Sequence, residues 1–408
     1  MRLLLAVTLV LGTLCAAPGS TAAAATSDRI VTLAKWESGA AFRTGARDGV
    51  RVRKGALVLD GAGSQRSYRG KRYDVGTWTS PVVSPGYGAT QLVASWSAVT
   101  PKNSWVEVRV RVSTGAASSR WQVLGRWASG DKHVRRTSVP GQSDALGRVD
   151  VDTWRSAEST GVSSYQVQVR LMRRAGASSP APSVASVTAM TSRLPSGVPA
   201  VSAAGPGRGV TLAVPPFSQM VHTGEFAQYG GGGEAWCSPT STAMVLGYYG
   251  RLPSSSSYAW VGPRADPWVD EVARRTYDAD YEGTGNWPFN TAYAASRGLD
   301  AFVTRLRSLT EAEALVAAGI PVIASVSFSN GALYGAPISS TAGHLLVIVG
   351  FTATGDVVVN DPAASSNAGV RRTYDSAQLE SAWLGGSGGT AYVIHDAAHP
   401  LPASAGNW

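Results

Sequence analysis

The chain has 408 residues and a formal net charge of +9, a length that allows two or three domains with separate cores. The charge is uneven, because residues 26–208 contain 26 Lys and Arg against 11 Asp and Glu, whereas residues 209–408 contain 9 against 16. The positive residues are mostly Arg and are scattered along the sequence, which argues against a nucleic-acid partner. An anionic polymer of the cell envelope is a more natural partner for the basic half, although its charge can also simply maintain solubility.

Residues 1–25 have the pattern of a secretory signal peptide. Arg2 precedes an apolar run at 3–14, and small residues follow up to the cleavage site that we expect near residue 25. Cleavage would remove Cys15 and leave Cys237 as the single cysteine, which excludes an intramolecular disulfide. No later apolar run has the length of a membrane span. We therefore expect a secreted protein without a transmembrane segment, free or associated with the cell wall.

Residues 26–193 alternate apolar and polar residues in short runs, such as VRVRKGALVL at 50–59 and SWVEVRVRV at 104–112. Period-two runs separated by Gly, Pro and Ser predict an all-β sandwich of the jelly-roll kind. Several tryptophans of this domain could stack on sugar rings from the surface, or could point into the core instead. The candidates are Trp78, Trp96, Trp105, Trp121, Trp127 and Trp154. Surface positions would make a carbohydrate or anionic polymer a partner of this domain.

The remaining chain changes character after residues 194–209, LPSGVPAVSAAGPGRG, whose composition predicts an interdomain linker. Residues 210–408 begin with helical patterns and end with strand patterns, which predicts an α+β domain. The predicted helices are at 239–250, 267–277, 287–297, 310–318 with a capping box of Thr310 and Glu313, and a short one begun by Asp375 with Gln378. The predicted strands are at 320–328, 345–351, 356–360 and 391–395.

One stretch of the second domain, EAWCSPTSTAMVLGYYG at 234–250, combines a cysteine with a helix start. Ser238 and Pro239 predict the N-cap and the first turn of an apolar helix that ends at Gly250. Backbone N–H groups and the helix dipole at such an end lower the pKa of a thiol and favour the nucleophilic thiolate. Cys237 is therefore a candidate nucleophile, although a cysteine in this place can also be a small buried apolar residue.

A thiolate nucleophile needs a base, normally a histidine whose tautomer a third group fixes. Of the five histidines, His344 opens the apolar strand LLVIVGF, and Asp361 follows the next predicted strand, VVVN. A hairpin of these strands brings both residues to one edge of the sheet, in a register that depends on the turn near Thr354. Asn360, which faces the other way, is the alternative orienting residue.

Six stretches between residues 214 and 395 carry a family resemblance: VPPFSQM, GGGEAWCSPTSTAMVLGYYG, YEGTGNWPFNTAYAASRGL, AGIPVIASV, GHLLVIVGF and VVVNDPAA. Together and in this order, they resemble the exported bacterial branch of the C39-like family of papain-fold cysteine peptidases. The resemblance implies a papain-like fold with Cys237 as the nucleophile and His344 as the general base and later acid. It also implies that Asp361 orients His344.

The oxyanion hole that the resemblance implies consists of the Gln219 side chain and the backbone N–H of Cys237. In papain-like enzymes this Gln precedes the cysteine closely, whereas Gln219 lies 18 positions before Cys237. Gln228, nine positions before the cysteine, is the alternative donor.

The implied function is that of an exported thiol hydrolase, which cleaves a peptide, isopeptide or cell-wall amide bond through a thioester. This chemistry needs no cofactor, and the sequence contains no HExxH or CxxC spacing that would predict a metal. Two alternatives stay open. The same residues could transfer the acyl group to an amine, as transglutaminases do, or the catalytic domain could be vestigial and the basic β domain could bind the cell surface.

Overall fold

The computed structural model describes residues 29–61, 64–197 and 201–408. The expected signal peptide, residues 1–25, lies outside the described residues. Across these ranges the protein is mostly β, with two antiparallel sheets in its N-terminal half and a third in its C-terminal half. No helix in the described ranges is long and apolar enough to cross a membrane.

The N-terminal half forms two antiparallel sheets and one short helix, α1 (Gly39–Arg43). Its strands are β1 (Ile30–Trp36), β2 (Ala46–Asp48), β3 (Val50–Arg53), β4 (Ala56–Leu59), β5 (Ser64–Tyr68), β6 (Lys71–Thr79), β7 (Gln91–Val99), β8 (Ser104–Ser113), β9 (Gln122–Trp127), β10 (Ser143–Asp144), β11 (Gly147–Asp150), β12 (Thr153–Ser156), β13 (Ser164–Arg174) and β14 (Ser183–Arg193). The first sheet has the order β10-β11-β12-β7-β14-β4-β3, with β1 also paired to β14. The second has the order β2-β6-β13-β8-β9, with β5 paired to β6.

A shared apolar core joins these two sheets. On β8, Val108 and Val110 are fully buried, whereas Arg109 and Arg111 between and beyond them are only partly buried, as the period-two alternation of a strand requires. The buried valines belong to the same cluster as Val187 of the other sheet. The structure is therefore consistent with the predicted N-terminal β domain.

The tryptophans of this domain do not form a sugar-binding surface. Five of the six candidates are at most 1% exposed, namely Trp78, Trp96, Trp105, Trp127 and Trp154. Trp121 is partly exposed, and the guanidinium groups of Arg109 and Arg111 lie 5.6 and 4.8 Å from its ring centre. Four of the buried rings belong to the shared apolar core, whereas Trp105 is buried in a separate cluster with Tyr73 and Met172. All five stabilise the fold by burying apolar area.

The C-terminal half packs helices against one antiparallel sheet. Its helices are α2 (Cys237–Tyr248), α3 (Pro267–Thr276), α4 (Trp287–Ser296), α5 (Leu309–Ala317) and α6 (Ser376–Glu380), the last continued by a π-helical turn at Ser381–Gly385. Its strands are β15 (Asp300–Arg305), β16 (Val322–Phe328), β17 (Thr341–Phe351), β18 (Val357–Asn360), β19 (Arg371–Tyr374) and β20 (Thr390–His395). The sheet order is β15-β20-β16-β17-β18-β19.

The predicted helices and strands of this half are present, but the start of α5 differs from the prediction. The N-cap of α5 is Ser308, whose side chain accepts a hydrogen bond from the backbone N–H of Glu311. Thr310, the predicted cap, instead donates its hydroxyl to the carbonyl of Ala203. The capping pattern therefore begins two residues earlier than predicted, because Ser308 and Glu311 have the same spacing as Thr310 and Glu313. Strands β15 and β19 were not predicted.

The two halves share a packed interface. Phe289 of α4 lies against Trp96 and Trp127 of the β-sandwich, with ring centres 6.2 and 5.5 Å apart. Gly125 makes room for this contact, because a Cβ there would lie 2.9 Å from Trp96 and 3.1 Å from Phe289. The buried carboxylate of Asp152 accepts a hydrogen bond from the backbone N–H of Trp287 at 2.8 Å. Polar and aromatic contacts thus fix the orientation of the two halves.

The segment predicted as a linker, as far as the structure describes it, has no helix or strand. The backbone N–H of Ser202 donates to Glu380 at 2.8 Å, and that of Gly207 donates to Glu313 at 3.1 Å. The segment is therefore bound along the C-terminal half. The C-terminal end of the chain also contacts the sandwich, since Leu33 of β1 donates its N–H to the carbonyl of Gly406 at 2.8 Å.

Candidate active site

Cys237 is the first residue of α2, the helix that packs against β17. No side chain caps this end of the helix, so Ser238 is not the N-cap that the sequence predicted, and the helix begins two residues earlier than predicted, at Cys237 instead of Pro239. Ser238 is buried instead, with its hydroxyl 2.8 Å from the hydroxyl of Tyr392. Ser241, one turn further, donates to the carbonyl of Leu345 at 3.1 Å. These two contacts fix the start of α2, and with it the thiol, against the sheet.

His344 and Asp361 meet at the edge of the sheet. β17 and β18 pair with Val347 opposite Asn360, so the continued register places Asp361 opposite Leu346. His344 is two positions from Leu346 and therefore projects from the same face. The ring Nε2 of His344 donates to Asp361 Oδ1 at 2.8 Å. Nδ1 is then the ring nitrogen that remains for the thiol.

Tyr374 is a fourth member of this group, which the sequence did not reveal. Its hydroxyl donates to Asp361 Oδ2 at 2.7 Å, while the backbone N–H of Ala363 donates to Oδ1 at 3.0 Å. Asp361 is 1% exposed, and both of its oxygens have donors. A fully hydrogen-bonded carboxylate of this kind holds the imidazole in one orientation and one tautomer.

Asn360, the alternative orienting residue, faces away from the imidazole. Its amide donates to the carbonyls of Val214 and Pro215 at 3.2 Å each, and its oxygen accepts from Arg371 Nε at 2.6 Å. The side chain of Asn360 therefore fastens the segment that begins the C-terminal half, and Asp361 is the residue that contacts His344.

The electrostatics of Cys237 and His344 favour an ion pair. Burial alone would raise the pKa of Cys237, but a hydrogen bond and the positive charge from His344, with the backbone N–H groups of Leu345 and Ser238, lower that pKa overall. Burial likewise opposes the charged form of His344, yet Asp361 and then Cys237 raise the pKa of His344 to about 10. The pair thus favours a thiolate beside an imidazolium at neutral pH.

Gln219, and not Gln228, lies in the same cleft as Cys237 and His344. Gln219 is buried. One hydrogen of its Nε2 is donated to the carbonyl of Glu234 at 2.8 Å, which leaves a second N–H on the same nitrogen. Gln228 is exposed and does not line the cleft.

The cleft has a volume of about 1000 Å³. Besides Cys237, His344 and Gln219, its walls include Tyr281 and the loop at 384–388. Trp236, which precedes the cysteine, is buried and donates its ring N–H to the carbonyl of Tyr229 at 2.6 Å. It therefore supports the helix start from behind and does not form a wall.

A separate buried cluster offers three atoms that could hold a metal ion. The Nδ1 atom of His222 lies 3.3 Å from Glu225 Oε2 and 3.2 Å from Asp270 Oδ2, and the three atoms lie within 4.8 Å of one another. Arg264 Nη1 is 3.4 Å from the other oxygen of Glu225. With His222 and Arg264 both charged, the positive side chains of the cluster balance its two carboxylates.

Comparisons with known families match both halves of the chain. Residues 32–192 match the model of the Peptidase C39 N-terminal domain, and residues 211–390 match the model of the Peptidase C39-like family. A search among curated proteins found no match. The second family is one of cysteine peptidases, and the two matches together span most of the described chain. The chain therefore belongs to the C39-like peptidase family.

Proposed function

We propose that the protein is a secreted, papain-like thiol hydrolase that cleaves an amide bond of a peptide or cell-wall peptide through Cys237. The observation that carries this proposal is the chain of contacts at one cleft, in which Tyr374 holds Asp361, Asp361 holds His344, and His344 lowers the pKa of Cys237. A thiol that served only as core packing would need no such partners.

The first half of the reaction forms a thioester. The Cys237 thiolate attacks the carbonyl carbon, a C–S bond forms, and the oxygen becomes an oxyanion. The free N–H of Gln219 Nε2 and the backbone N–H of Cys237 would stabilise that charge. The His344 imidazolium then donates its proton to the leaving nitrogen, and the C–N bond breaks to release an amine.

The second half regenerates the enzyme. Neutral His344 takes a proton from water, whose oxygen attacks the thioester carbon and forms a second tetrahedral intermediate. Collapse of this intermediate releases the carboxylic acid and the Cys237 thiolate, and His344 keeps the proton as imidazolium. Asp361 stays ionised throughout and stabilises that imidazolium, because its two oxygens are held by donors.

The test is the pH dependence of Cys237 alkylation by iodoacetamide. We expect wild type to react rapidly well below pH 8.5, the ordinary pKa of a thiol, and His344→Ala to lose this reactivity at low pH. His399→Ala is the matched control, since His399 also contacts a carboxylate, Asp396 Oδ1 at 2.7 Å, but lies outside the cleft. An ordinary thiol profile in wild type would refute the hydrolase proposal. Product analysis with an added amine then separates hydrolysis from acyl transfer.

A further inference from the structure

The cleft that contains Cys237 extends to the junction of the two halves. Arg29, Gln91 and Arg155 of the N-terminal half line it, together with Arg305 of β15. The cleft is therefore not built by the C-terminal half alone, and the polar residues that line this end include three arginines and one glutamine.

These residues form a continuous row across the junction. Arg155 of β12 lies opposite Gln91 of β7, and Gln91 lies opposite Ser192 of β14. Residues directly opposite each other in antiparallel strands project from the same face. The Nη1 atom of Arg305 donates to the hydroxyl of Ser192 at 2.5 Å, which continues the row into the C-terminal half.

Arg305 is a buried cation with neutral partners. It is 2% exposed, and its other hydrogen bond, from Nε, goes to the hydroxyl of Thr390 at 3.3 Å. Within the described ranges, no carboxylate forms an ion pair with it. Burial, followed by the positive charges of Arg155 and Arg29, lowers the pKa of Arg305 to about 9.

Arg29 repeats this pattern. It is 5% exposed, and its Nη2 donates to the carbonyl of Leu384 at 3.4 Å. Its Nε and Nη1 have no hydrogen-bond partner in the described part of the chain, and the same holds for the buried Oε1 of Gln91. Glu380 is the carboxylate whose charge reaches Arg29, but its oxygens accept hydrogen bonds from Ser202 and Leu309.

Buried cations without a counter-ion are costly, so proteins keep them chiefly where they have a partner in function. The anions that peptides carry are side-chain and C-terminal carboxylates, and arginine binds carboxylates through two parallel N–H donors. We propose that this end of the cleft binds a carboxylate of the substrate, so that the enzyme acts on peptides with an acidic group at a fixed distance from the cleaved bond. This inference rests on the proposed function and adds its substrate class.

Bromoacetyl peptides test the inference. Their rate of reaction with Cys237 reports both the effect of a charge on the peptide and the distance of that charge from the thiol. The Cys237 thiolate displaces bromide from the bromoacetyl group, forming a C–S bond, while the peptide tail lies along the cleft. Tails of about one to five glycines end in Glu amide, in Gln amide or in glycine with a free C-terminal carboxylate. The Glu amide tail carries a side-chain carboxylate, and the glycine tail carries a C-terminal one. The Gln amide tail is neutral and serves as the reference.

The structure supplies a matched pair of variants for this experiment. Arg148 and Arg155 are opposite each other on β11 and β12, and both contact Asp150, at 2.9 and 3.1 Å. Both are substantially exposed, so either substitution is compatible with folding, but only Arg155 lines the cleft. Arg148→Gln therefore measures the loss of one charge from the same surface.

At one tail length or more, we expect a carboxylate tail to react on the order of tenfold faster than the neutral tail, as a charge-assisted contact implies. Arg155→Gln should reduce this ratio severalfold, and Arg148→Gln should preserve it. Equal rates for charged and neutral tails at every length would overturn the inference, and so would equal losses in the two variants. A slow reaction of Cys237 with iodoacetamide would refute the proposed hydrolase function. The ratio of the rates for charged and neutral tails would still test the carboxylate site in that case.

Discussion

Replacing Tyr374 by Phe removes one hydroxyl and leaves Asp361 Oδ2 without its donor at 2.7 Å. A hydrogen bond to a charged group contributes about 1.5–3 kcal/mol, and the Phe ring preserves the apolar contacts of the fully buried tyrosine. We expect Tyr374→Phe to lower the stability by that amount, which corresponds to a decrease in Tm of roughly 2–4 °C if the two halves unfold together.

The matched control is Tyr249→Phe, because the Tyr249 hydroxyl donates at 3.0 Å to a neutral acceptor, the carbonyl of Ile394. A neutral hydrogen bond contributes about 0.5–1.5 kcal/mol, so Tyr249→Phe should lose less stability than Tyr374→Phe. Calorimetry of both variants and of wild type measures the difference. Equal decreases in Tm would refute the reasoning that Tyr374 supports an ionised Asp361.

The pH dependence gives the same prediction a second readout. Burial opposes ionisation of Asp361, but His344, then Tyr374 and the N–H of Ala363, lower its pKa overall. A lowered carboxyl pKa stabilises the folded state above the unfolded pKa, and this contribution is lost as the pH falls through the folded value. The deficit of Tyr374→Phe should therefore be present at neutral pH and shrink on acidification below about pH 4. A deficit that keeps its full size well below that pH would contradict the assignment.

Two further predictions concern the interface of the halves. Burial raises the pKa of Asp152 to about 6, so wild type should lose about 3 kcal/mol as the pH rises from 4 through 6. Asp152→Asn cannot ionise and should lack this loss, and parallel Tm curves from pH 4 to 7 would show the prediction to be wrong. Gly125→Ala places a Cβ 2.9 Å from Trp96 and should cost about 1–3 kcal/mol by overpacking. Gly130→Ala, whose Cβ would be 4.0 Å from its nearest neighbour, should leave Tm unchanged, and equal Tm values in both variants would argue against tight packing there.

Local patterns predicted the helices and central strands because these elements carry strong periodicity and turn residues. The two missed strands lie at the edges of the sheet, and Arg371–Tyr374, with the sequence RRTY, has no apolar alternation to reveal it. Tyr374 lies on this strand, so no local pattern connected it with Asp361. The contact exists only because β18 and β19 pair side by side.

The orientation of the tryptophans was open from the sequence for a different reason. Period two separates the two faces of a strand but does not say which face is covered, and here β7 is covered on both. Trp96 contacts the α4 residue Phe289, more than 190 positions away. For the same reason, no sequence pattern placed Arg29 or Arg155 at the cleft, since their position depends on how the two halves dock.

The hydrogen bond between Leu33 and Gly406 has a consequence for the order of folding. Both sheets of the sandwich can pair as soon as residues up to Arg193 have left the ribosome, because all of their strands lie before that point. The bond that β1 makes with Gly406 closes a loop of almost the whole chain, and contacts of such long range form late. Shortening the protein by a few residues at this end should therefore slow the final docking step more than it disturbs either half.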